Sequence, residues 1–388
     1  ISINNSSSSS SSSFSHLHLH TQYSILQASS NIDEIVDKAL EMNMPAVAIT
    51  DNHNMFGSFK FLNATYSREG NSNGELLKPI IGSELSVCRD HTNKENKDFG
   101  FQQVFLCKNK NGYLNLSKMS SLGYIDGFYY IPRIDKEIIL KYKNDLIAIS
   151  GGIYGEIPNL ILNVGEQQAE ESFVWWKENF GEDFYVELMR HDLDEERHVN
   201  NILLKFARKY GVKVIASNNV FYVNKNDANA HDILLCVKDG QTQSTPKGKG
   251  RGYRYGFPND EFYFKNSLEM QKLFSDMPES IDNISDVIDK IEPFILSRDV
   301  LLPKFDIPKN FIDAKDNKDG GKRGENAYLR HLTYEGAVNR YQEITDEIRE
   351  RIDFELNVIE NSAYPGYFLI VQDLISNARK MNVSVGPG

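Results

Sequence analysis

The sequence has few cysteines and no long apolar stretch. Its 388 residues include 3 Cys, at Cys88, Cys107 and Cys236, which are too few and too scattered for a disulfide scaffold or a Cys-based zinc site. No run of about 18 apolar residues is present, and serines stand where a signal peptide would carry its apolar segment. These absences predict a cytoplasmic protein that is neither secreted nor inserted in a membrane.

Basic residues are also scarce relative to acidic ones. The chain has 43 Lys and Arg against 54 Asp and Glu, which gives a net charge of −11. Binding of nucleic acid over the whole surface is therefore disfavoured, because phosphate neutralisation needs concentrated Lys and Arg. The Gly-rich segment Lys247–Arg254 is a basic exception with interleaved tyrosines. It suits a phosphate backbone with stacked bases, but a solvated loop is the favoured interpretation.

The length of the chain and a change in its hydrophobic pattern predict two structured domains after a short leader. Residues 1–13 contain a low-complexity serine run, and we expect this leader to be disordered. In residues 14–256, short apolar runs rich in branched residues alternate with amphipathic helical patterns. Residues 257–388 are mostly helical in pattern, with Thr345 predicted as a helix cap.

Seven apolar runs of the first domain are strand candidates. Because helical patterns separate most of them, they predict a parallel sheet closed into an α/β barrel. The runs are His16–Leu19, Ala46–Thr50, Pro79–Val87, Val104–Cys107, Leu146–Ser150, Phe184–Met189 and Val212–Ser217.

Histidines are concentrated in the first of these runs. His16, His18 and His20 alternate along the chain, and on a strand they would share one face. Such a face predicts a metal site, since imidazole is a preferred ligand of zinc, manganese and iron. A His-tag remnant or a polar strand face is the alternative interpretation. The continuation into Thr21–Ser24 and a capped helix argues against a tag.

Other polar residues fall at or near the ends of further runs. Asp51 follows the second run, Glu84 lies inside the third and His191 ends the sixth. Functional residues of an α/β barrel gather at the C-terminal ends of its strands. The pattern therefore predicts one shared pocket for these side chains and the histidines, although Asp51 alone would be interpreted as a helix cap.

Several short motifs are spread along the chain from residue 14 to its end. They are His16–Ser24, Lys78–Glu84, Gly127–Arg133, Ala230–Leu235, Glu261–Lys265, Leu302–Phe305, Arg351–Leu356, Gly366–Val371 and Val385–Gly388. In this order they resemble those of a known family, the bacterial DNA polymerase III alpha subunits (C-family replicative polymerases), whose first domain is a polymerase and histidinol phosphatase (PHP) domain. The resemblance implies a distorted seven-stranded α/β barrel at residues 14–256, followed at residues 257–388 by a mainly helical and truncated first part of the polymerase palm.

The resemblance also implies a metal site that is only partly preserved. In active PHP proteins about nine residues hold up to three metals, which activate a water for attack on a phosphoester. His18, His20 and Glu84 match three of these positions. We expect these three residues to hold at most one weakly bound Zn²⁺ or Mn²⁺, with a structural role for the domain. Six positions carry another residue type, namely Gln27, Asn52 (beside His53), Gln102, Gly152, Asn219 (at best a poor fourth ligand) and Phe221.

The function implied by the resemblance is that of a longer parent protein. Such polymerases extend DNA by template-directed nucleotidyl transfer from dNTPs with Mg²⁺, alongside a proofreading exonuclease subunit and a sliding clamp. Gly386, Pro387 and Gly388 match only the start of the nucleotide-binding loop, and the family's catalytic aspartates come later. We therefore expect the chain itself to be inactive in synthesis.

Two alternatives remain open from the sequence. One is a metal-dependent PHP phosphoesterase or 3′–5′ exonuclease that uses His18, His20 and Glu84. The other is an interaction scaffold with no chemistry of its own. Metal analysis and a phosphodiester hydrolysis assay against a His18→Ala variant discriminate between these interpretations.

Overall fold

The computed structural model describes residues 14–248, 250–298 and 303–386. The chain divides into two compact units between Ser297 and Arg298. The predicted leader at residues 1–13 lies outside the described residues, as do Pro387 and Gly388 of the predicted nucleotide loop. Gly386 is described and is exposed to solvent.

The first unit is built around a curled mixed sheet of seven strands. The strand order is β1-β2-β3-β5-β6-β7, and β4 pairs with β2. Strand β3 runs antiparallel to β2 and β5, while the remaining pairs are parallel. The strands are β1 (Ala46–Ile49), β2 (Lys78–Val87), β3 (Phe101–Cys107), β4 (Arg133–Ile134), β5 (Leu146–Ile149), β6 (Phe184–Met189) and β7 (Val214–Ser217).

The predicted α/β class with a distorted, seven-stranded curled sheet is confirmed, and six of the seven apolar runs form strands. The expectation of an all-parallel sheet is wrong at β3. No helix intervenes between the end of β2 and the start of β3, so the chain returns beside β2 in the opposite direction. The short strand β4 was missed because two residues leave no periodic pattern in a sequence.

The predicted strand His16–Leu19 is irregular backbone rather than a regular strand. It nevertheless joins the two ends of the sheet. The backbone N–H of Ala48 in β1 donates to the carbonyl oxygen of His16 at 2.8 Å, and that of His20 donates to Val220, just after β7, at 2.8 Å. Both edges of the curled sheet therefore meet at the histidine-bearing segment.

Helices cover the outside of the sheet. Helix α1 begins where the Asn31 side chain accepts a hydrogen bond from the backbone N–H of Asp33. The helices of this unit are α1 (Ile32–Glu41), α2 (Ser58–Tyr66), α3 (Lys110–Ile125), α4 (Lys136–Tyr142), α5 (Glu156–Asn163), α6 (Glu166–Phe180), α7 (Asp194–Tyr210), α8 (Ala228–Asp239), α9 (Ser267–Leu273) and α10 (Glu279–Asp289).

The core lies between these helices and the sheet. Helix α7 is an example. Val199, Leu203 and Phe206 recur on one face and are buried, and its charged residues other than Glu196 are exposed. Burial of each such side chain stabilises the fold by about 1.5–3 kcal/mol. The helix ends at Gly211, whose φ of 63° requires the left-handed conformation that glycine adopts without strain.

Helices α9 and α10 belong to the first unit although they follow residue 256, where the sequence changes from alternating strand and helix patterns to mostly helical patterns. Ile284 and Val287 of α10 are fully buried in the main core. The Asn283 side chain donates to the carbonyl oxygen of Val214 in β7 at 2.8 Å. The compact unit therefore extends some distance past the predicted domain limit.

The second unit is helical. Its small core consists of Leu329, Leu356 and Leu369. Thr345 accepts a hydrogen bond from the backbone N–H of Ile348 at 3.4 Å, which confirms it as a helix cap. The helices are α11 (Asp316–Asp319), α12 (Arg323–Arg340), α13 (Asp346–Asn361) and α14 (Pro365–Lys380). No helix in the described part of the chain is both long and apolar enough to cross a bilayer.

Candidate metal site

Three side chains that could hold a metal ion lie together inside the first unit. Ligand atoms of His18, His20 and Glu84 are all within 4.8 Å of one another, and all three residues are buried. The two imidazole rings are 5.2 Å apart. Glu84 comes from the middle of β2, and the histidines come from the segment that joins the edges of the sheet. The curvature of the sheet brings these distant parts of the chain together.

His18 lies between two carboxylates. Its Nε2 donates to Oε2 of Glu84 at 3.0 Å, and its Nδ1 is 3.2 Å from both oxygens of Glu187 on β6. Glu187 is buried and was missed by the sequence analysis. The sequence does contain a signal that could have identified Glu187, since it is an acidic residue inside an apolar strand, as Glu84 is.

The two carboxylates control the charge of His18. Burial by itself lowers the pKa of His18, but Glu187 and Glu84 together outweigh that effect and raise the pKa to about 10. Burial likewise opposes ionisation of Glu84, yet the hydrogen bond from His18 and the neighbouring histidines leave its pKa below the ordinary value. The two carboxylates therefore favour the protonated form of His18, and a cation that binds through Nε2 would displace the proton at that atom.

His20 differs from His18 in its charge. Burial lowers the pKa of His20 to about 3, so the ring is neutral. Its Nδ1 is 3.4 Å from Oγ of Ser24, and its Nε2 is buried with no hydrogen-bond partner. Oδ1 of Asn52 and Oδ1 of Asn219 are also buried without partners. Unpaired lone pairs of this kind fit a cation, and the residues present are therefore suited to holding one.

The six positions at which this chain departs from the PHP pattern are used for packing and for hydrogen bonds to other residues. Nδ2 of Asn52 donates to Oε1 of Gln27 at 3.0 Å, so these two amides bind each other. The ring of Phe221 stacks on His20 with centroids 4.3 Å apart and leaves no ligand atom at that position. Asn219 donates its backbone N–H to Nε2 of His191 at 3.3 Å.

Of the remaining two positions, Gln102 lies on β3 and Gly152 lies in the loop after β5. A Cβ added at Gly152 would lie 3.1 Å from Sδ of Met189, so Met189 fills the space that a ligand side chain would need. Gln102 is half-buried on β3, where it pairs with Ser86 of β2.

The structure does not bring His16 into this group. Its Nε2 donates to the backbone carbonyl of Lys265 at 2.8 Å, and its ring lies 4.3 Å from that of Phe264. Burial lowers the pKa of His16 to about 3. The expected common face of three histidines is reduced to His18 and His20 because the segment is irregular rather than a strand.

Asp51 holds the chain segment that follows His20 in place. Its oxygens accept hydrogen bonds from the backbone N–H of Thr21 at 2.7 Å, from Oγ1 of Thr21 at 2.8 Å and from Oγ of Ser24 at 2.6 Å. Burial raises the pKa of Asp51 above its usual range. The carboxyl group thereby fixes the turn after His20, and through Ser24 it is connected to the His20 ring.

His191 is buried but fully engaged elsewhere. Its Nδ1 donates to Oε1 of Glu196 at 2.6 Å, and its Nε2 accepts the backbone N–H of Asn219. The ring stacks on Phe262 with centroids 4.2 Å apart. Both ring nitrogens are therefore committed, and His191 holds the loop after β7 in place.

Two further clusters of charged residues are found in the described part of the chain. Asp90, His91 and Asp135 also offer three ligand atoms close together, although Asp90 is exposed. In the basic segment, Arg254 makes a bidentate ion pair with Asp232, with both N–O distances at 2.8 Å. The charge of Arg254 is consequently used within the fold.

Two protein families match the chain. Residues 16–191 match the PHP domain, and residues 327–388 match the bacterial DNA polymerase III alpha NTPase domain. DNA polymerase III subunit alpha of Borreliella burgdorferi is 39% identical over 95% of this chain, and the same subunit of Treponema pallidum is 35% identical over 95%. The chain covers 30% of the length of each of these relatives. The chain is therefore similar over 95% of its length to bacterial DNA polymerase III alpha subunits, and its residues 16–191 are similar to the PHP domain.

Proposed function

We propose that the chain is part of a bacterial replicative DNA polymerase, an enzyme that extends DNA by template-directed nucleotidyl transfer. The observation that carries this proposal is homology over 95% of the chain to DNA polymerase III alpha subunits. In this proposal the whole protein uses DNA and dNTPs as substrates and Mg²⁺ as cofactor. A proofreading exonuclease subunit and a sliding clamp are its partners in the replication machinery.

Within that protein, we assign the PHP domain a structural role with one divalent cation, Zn²⁺ or Mn²⁺, held by His18, His20 and Glu84. A multinuclear phosphoesterase needs metals spaced to stabilise both the attacking and the leaving oxygen. The mutual pairing of Gln27 and Asn52 supports the structural role, as does the stacked ring of Phe221. When bound, the single cation supplies a positive charge that ties the histidine segment to β2.

Metal analysis tests this assignment. Purified protein is incubated with Zn²⁺ or Mn²⁺, the free metal is removed, and bound metal is measured by plasma mass spectrometry. We expect about one ion per chain, and we expect the ion to be lost in His18→Ala and in Glu84→Gln. A fully occupied centre of two or three metals in an anomalous-scattering map would contradict the assignment.

Synthesis by the 388-residue chain is tested separately. We expect no primer extension on a primed template with dNTPs and Mg²⁺, because the resemblance places the catalytic aspartates beyond the matched loop start at Gly386. Template-directed extension by this chain, abolished by heat and absent from a mock preparation, would contradict that expectation.

A metal-dependent phosphoesterase or 3′–5′ exonuclease is the second candidate function. The buried group of His18, His20 and Glu84 favours it, since a bound cation there could polarise a phosphoryl oxygen. Hydrolysis of a phosphodiester substrate and of single-stranded DNA is measured for the wild type and for His18→Ala. Metal-dependent hydrolysis that disappears in His18→Ala would establish this function and remove the structural assignment.

A further inference from the structure

The two candidate histidine ligands face the site through the same ring nitrogen. Nε2 of His18 points to Glu84, and Nε2 of His20 is buried without a partner. The Nδ1 atoms are engaged on the other side of each ring. Nδ1 of His20 approaches Ser24, and Nδ1 of His18 lies 3.2 Å from both oxygens of Glu187.

Glu187 is fixed by its position inside the sheet. It lies in β6 between β5 and β7, and its backbone N–H donates to Oγ of Ser150 at 3.1 Å. Its side chain is fully buried, and so is that of His18. A carboxylate in this position accepts a hydrogen bond but cannot donate one, so the proton lies on Nδ1 of His18.

We propose that Glu187 is a positioning residue that holds His18 with Nδ1 protonated and Nε2 directed at the cation site. The proposal rests on the one-cation site assigned to His18, His20 and Glu84 above. Glu187 does not itself contact the cation in this arrangement. It determines which nitrogen of His18 is available and in which direction its lone pair points.

The physical basis is the general behaviour of histidine ligands. An imidazole that binds a metal through one nitrogen donates the other N–H to a carboxylate or carbonyl, which fixes the tautomer and increases the basicity of the ligand atom. Loss of such a partner lowers metal affinity by about 10–100-fold. Because His18 is buried between β2 and β6, no water replaces Glu187 at Nδ1.

The test compares zinc affinity in three variants of the full chain. Competition with a chromophoric chelator gives the Kd for Zn²⁺ in the wild type, Glu187→Leu and Glu187→Gln. We expect a loss of about 10–100-fold in Glu187→Leu and a smaller loss in Glu187→Gln, whose amide oxygen still accepts a hydrogen bond from Nδ1. Glu156→Gln is the matched control, because it makes the same change at a carboxylate that bonds Lys136 and Trp176 and belongs to neither group of possible metal ligands, so it is expected to leave the Kd unchanged.

A second readout separates positioning from general stability. In zinc-loaded protein with ¹⁵N-labelled histidine, we expect the wild-type spectrum of His18 to show a protonated Nδ1 and a metal-bound Nε2. In Glu187→Leu we expect loss of the downfield Nδ1 proton signal. If Glu187→Leu does not fold, Glu187→Gln decides, since it must weaken zinc binding and shift that proton signal upfield.

The possible results point to different conclusions. An unchanged Kd and an unchanged Nδ1 proton signal in a folded Glu187 variant would overturn the positioning role and leave the one-cation site intact. A wild-type protein that binds no zinc would overturn both proposals. A loss confined to the Glu187 variants, with Glu156→Gln unaffected, supports the positioning role.

Discussion

Acid should destabilise the first unit in part through His16, and substitution of His16 by Gln should remove that part. His16 is fully buried, its Nδ1 has no hydrogen-bond partner, and its Nε2 donates to the carbonyl oxygen of Lys265. Burial lowers its pKa to about 3. Gln is uncharged throughout the relevant pH range and can retain a donor to Lys265.

The size of the effect follows from proton linkage. An unfolded histidine has a pKa of about 6.5, so between pH 6.5 and pH 3 the unfolded chain binds a proton that folded His16 does not. The contribution of His16 to stability is therefore complete above pH 6.5 and is lost as the pH falls toward 3. From pH 7 to pH 5 the loss is about 2 kcal/mol, since each pH unit is worth about 1.36 kcal/mol.

The assay is urea unfolding of the wild type and His16→Gln at pH 7 and pH 5. Tryptophan fluorescence follows the first unit alone, because the 2 tryptophans, Trp175 and Trp176, both lie in α6. Other titrating groups contribute equally to both proteins and cancel. We expect the wild type to lose about 2 kcal/mol more than the variant. Equal losses in the two proteins would refute the conclusion that folded His16 is neutral.

Three further predictions concern stability and ligand charge. We expect Arg133→Ala to lower the free energy of unfolding in urea by about 3–5 kcal/mol, because this buried guanidinium donates to four backbone carbonyls. A decrease smaller than that of an exposed Arg→Ala control would contradict this expectation. We expect Gly127→Ala to lower the free energy of unfolding by about 3 kcal/mol in the same assay, since the added Cβ would lie 1.8 Å from the carbonyl oxygen of Arg133. A variant as stable as the wild type would show that the loop relaxes freely. Asn219→Asp should tighten zinc binding roughly tenfold in the chelator assay by turning a neutral oxygen into a charged ligand, whereas unchanged affinity would place residue 219 outside the site.

Strand positions were predictable because they depend on local patterns. The runs that became β1, β2, β5, β6 and β7 are apolar, rich in branched residues and bounded by turns. Strand direction was not predictable from those patterns, since an apolar run reads the same in a parallel and an antiparallel pair. The extension of the first unit to α10 could not be predicted for a similar reason. The pattern of an amphipathic helix indicates that one of its faces is buried, but it does not indicate which element that face packs against.

The candidate site, too, was only partly predictable from the sequence. His18, His20 and Glu84 were identified by residue type and by a resemblance to a known family. Glu187 was not, because its role depends on β6 lying beside the histidine segment in space, 169 residues along the chain from His18. The assignments of His16 and His191 to a pocket assumed regular strand geometry. In the structure their rings are held by Lys265 and Glu196.

The segment from His16 to His20 connects β1 to the residues after β7 and also carries the two candidate ligands. Closure of the sheet and occupancy of the site are therefore thermodynamically linked. A cation that binds His18 and Glu84 ties the seam of the sheet to its interior, so amide protons at the seam, such as those of His20 and Val220, should exchange more slowly when the cation is bound. If one cation is held at the proposed site, its binding free energy therefore opposes opening of the sheet at the segment from His16 to His20.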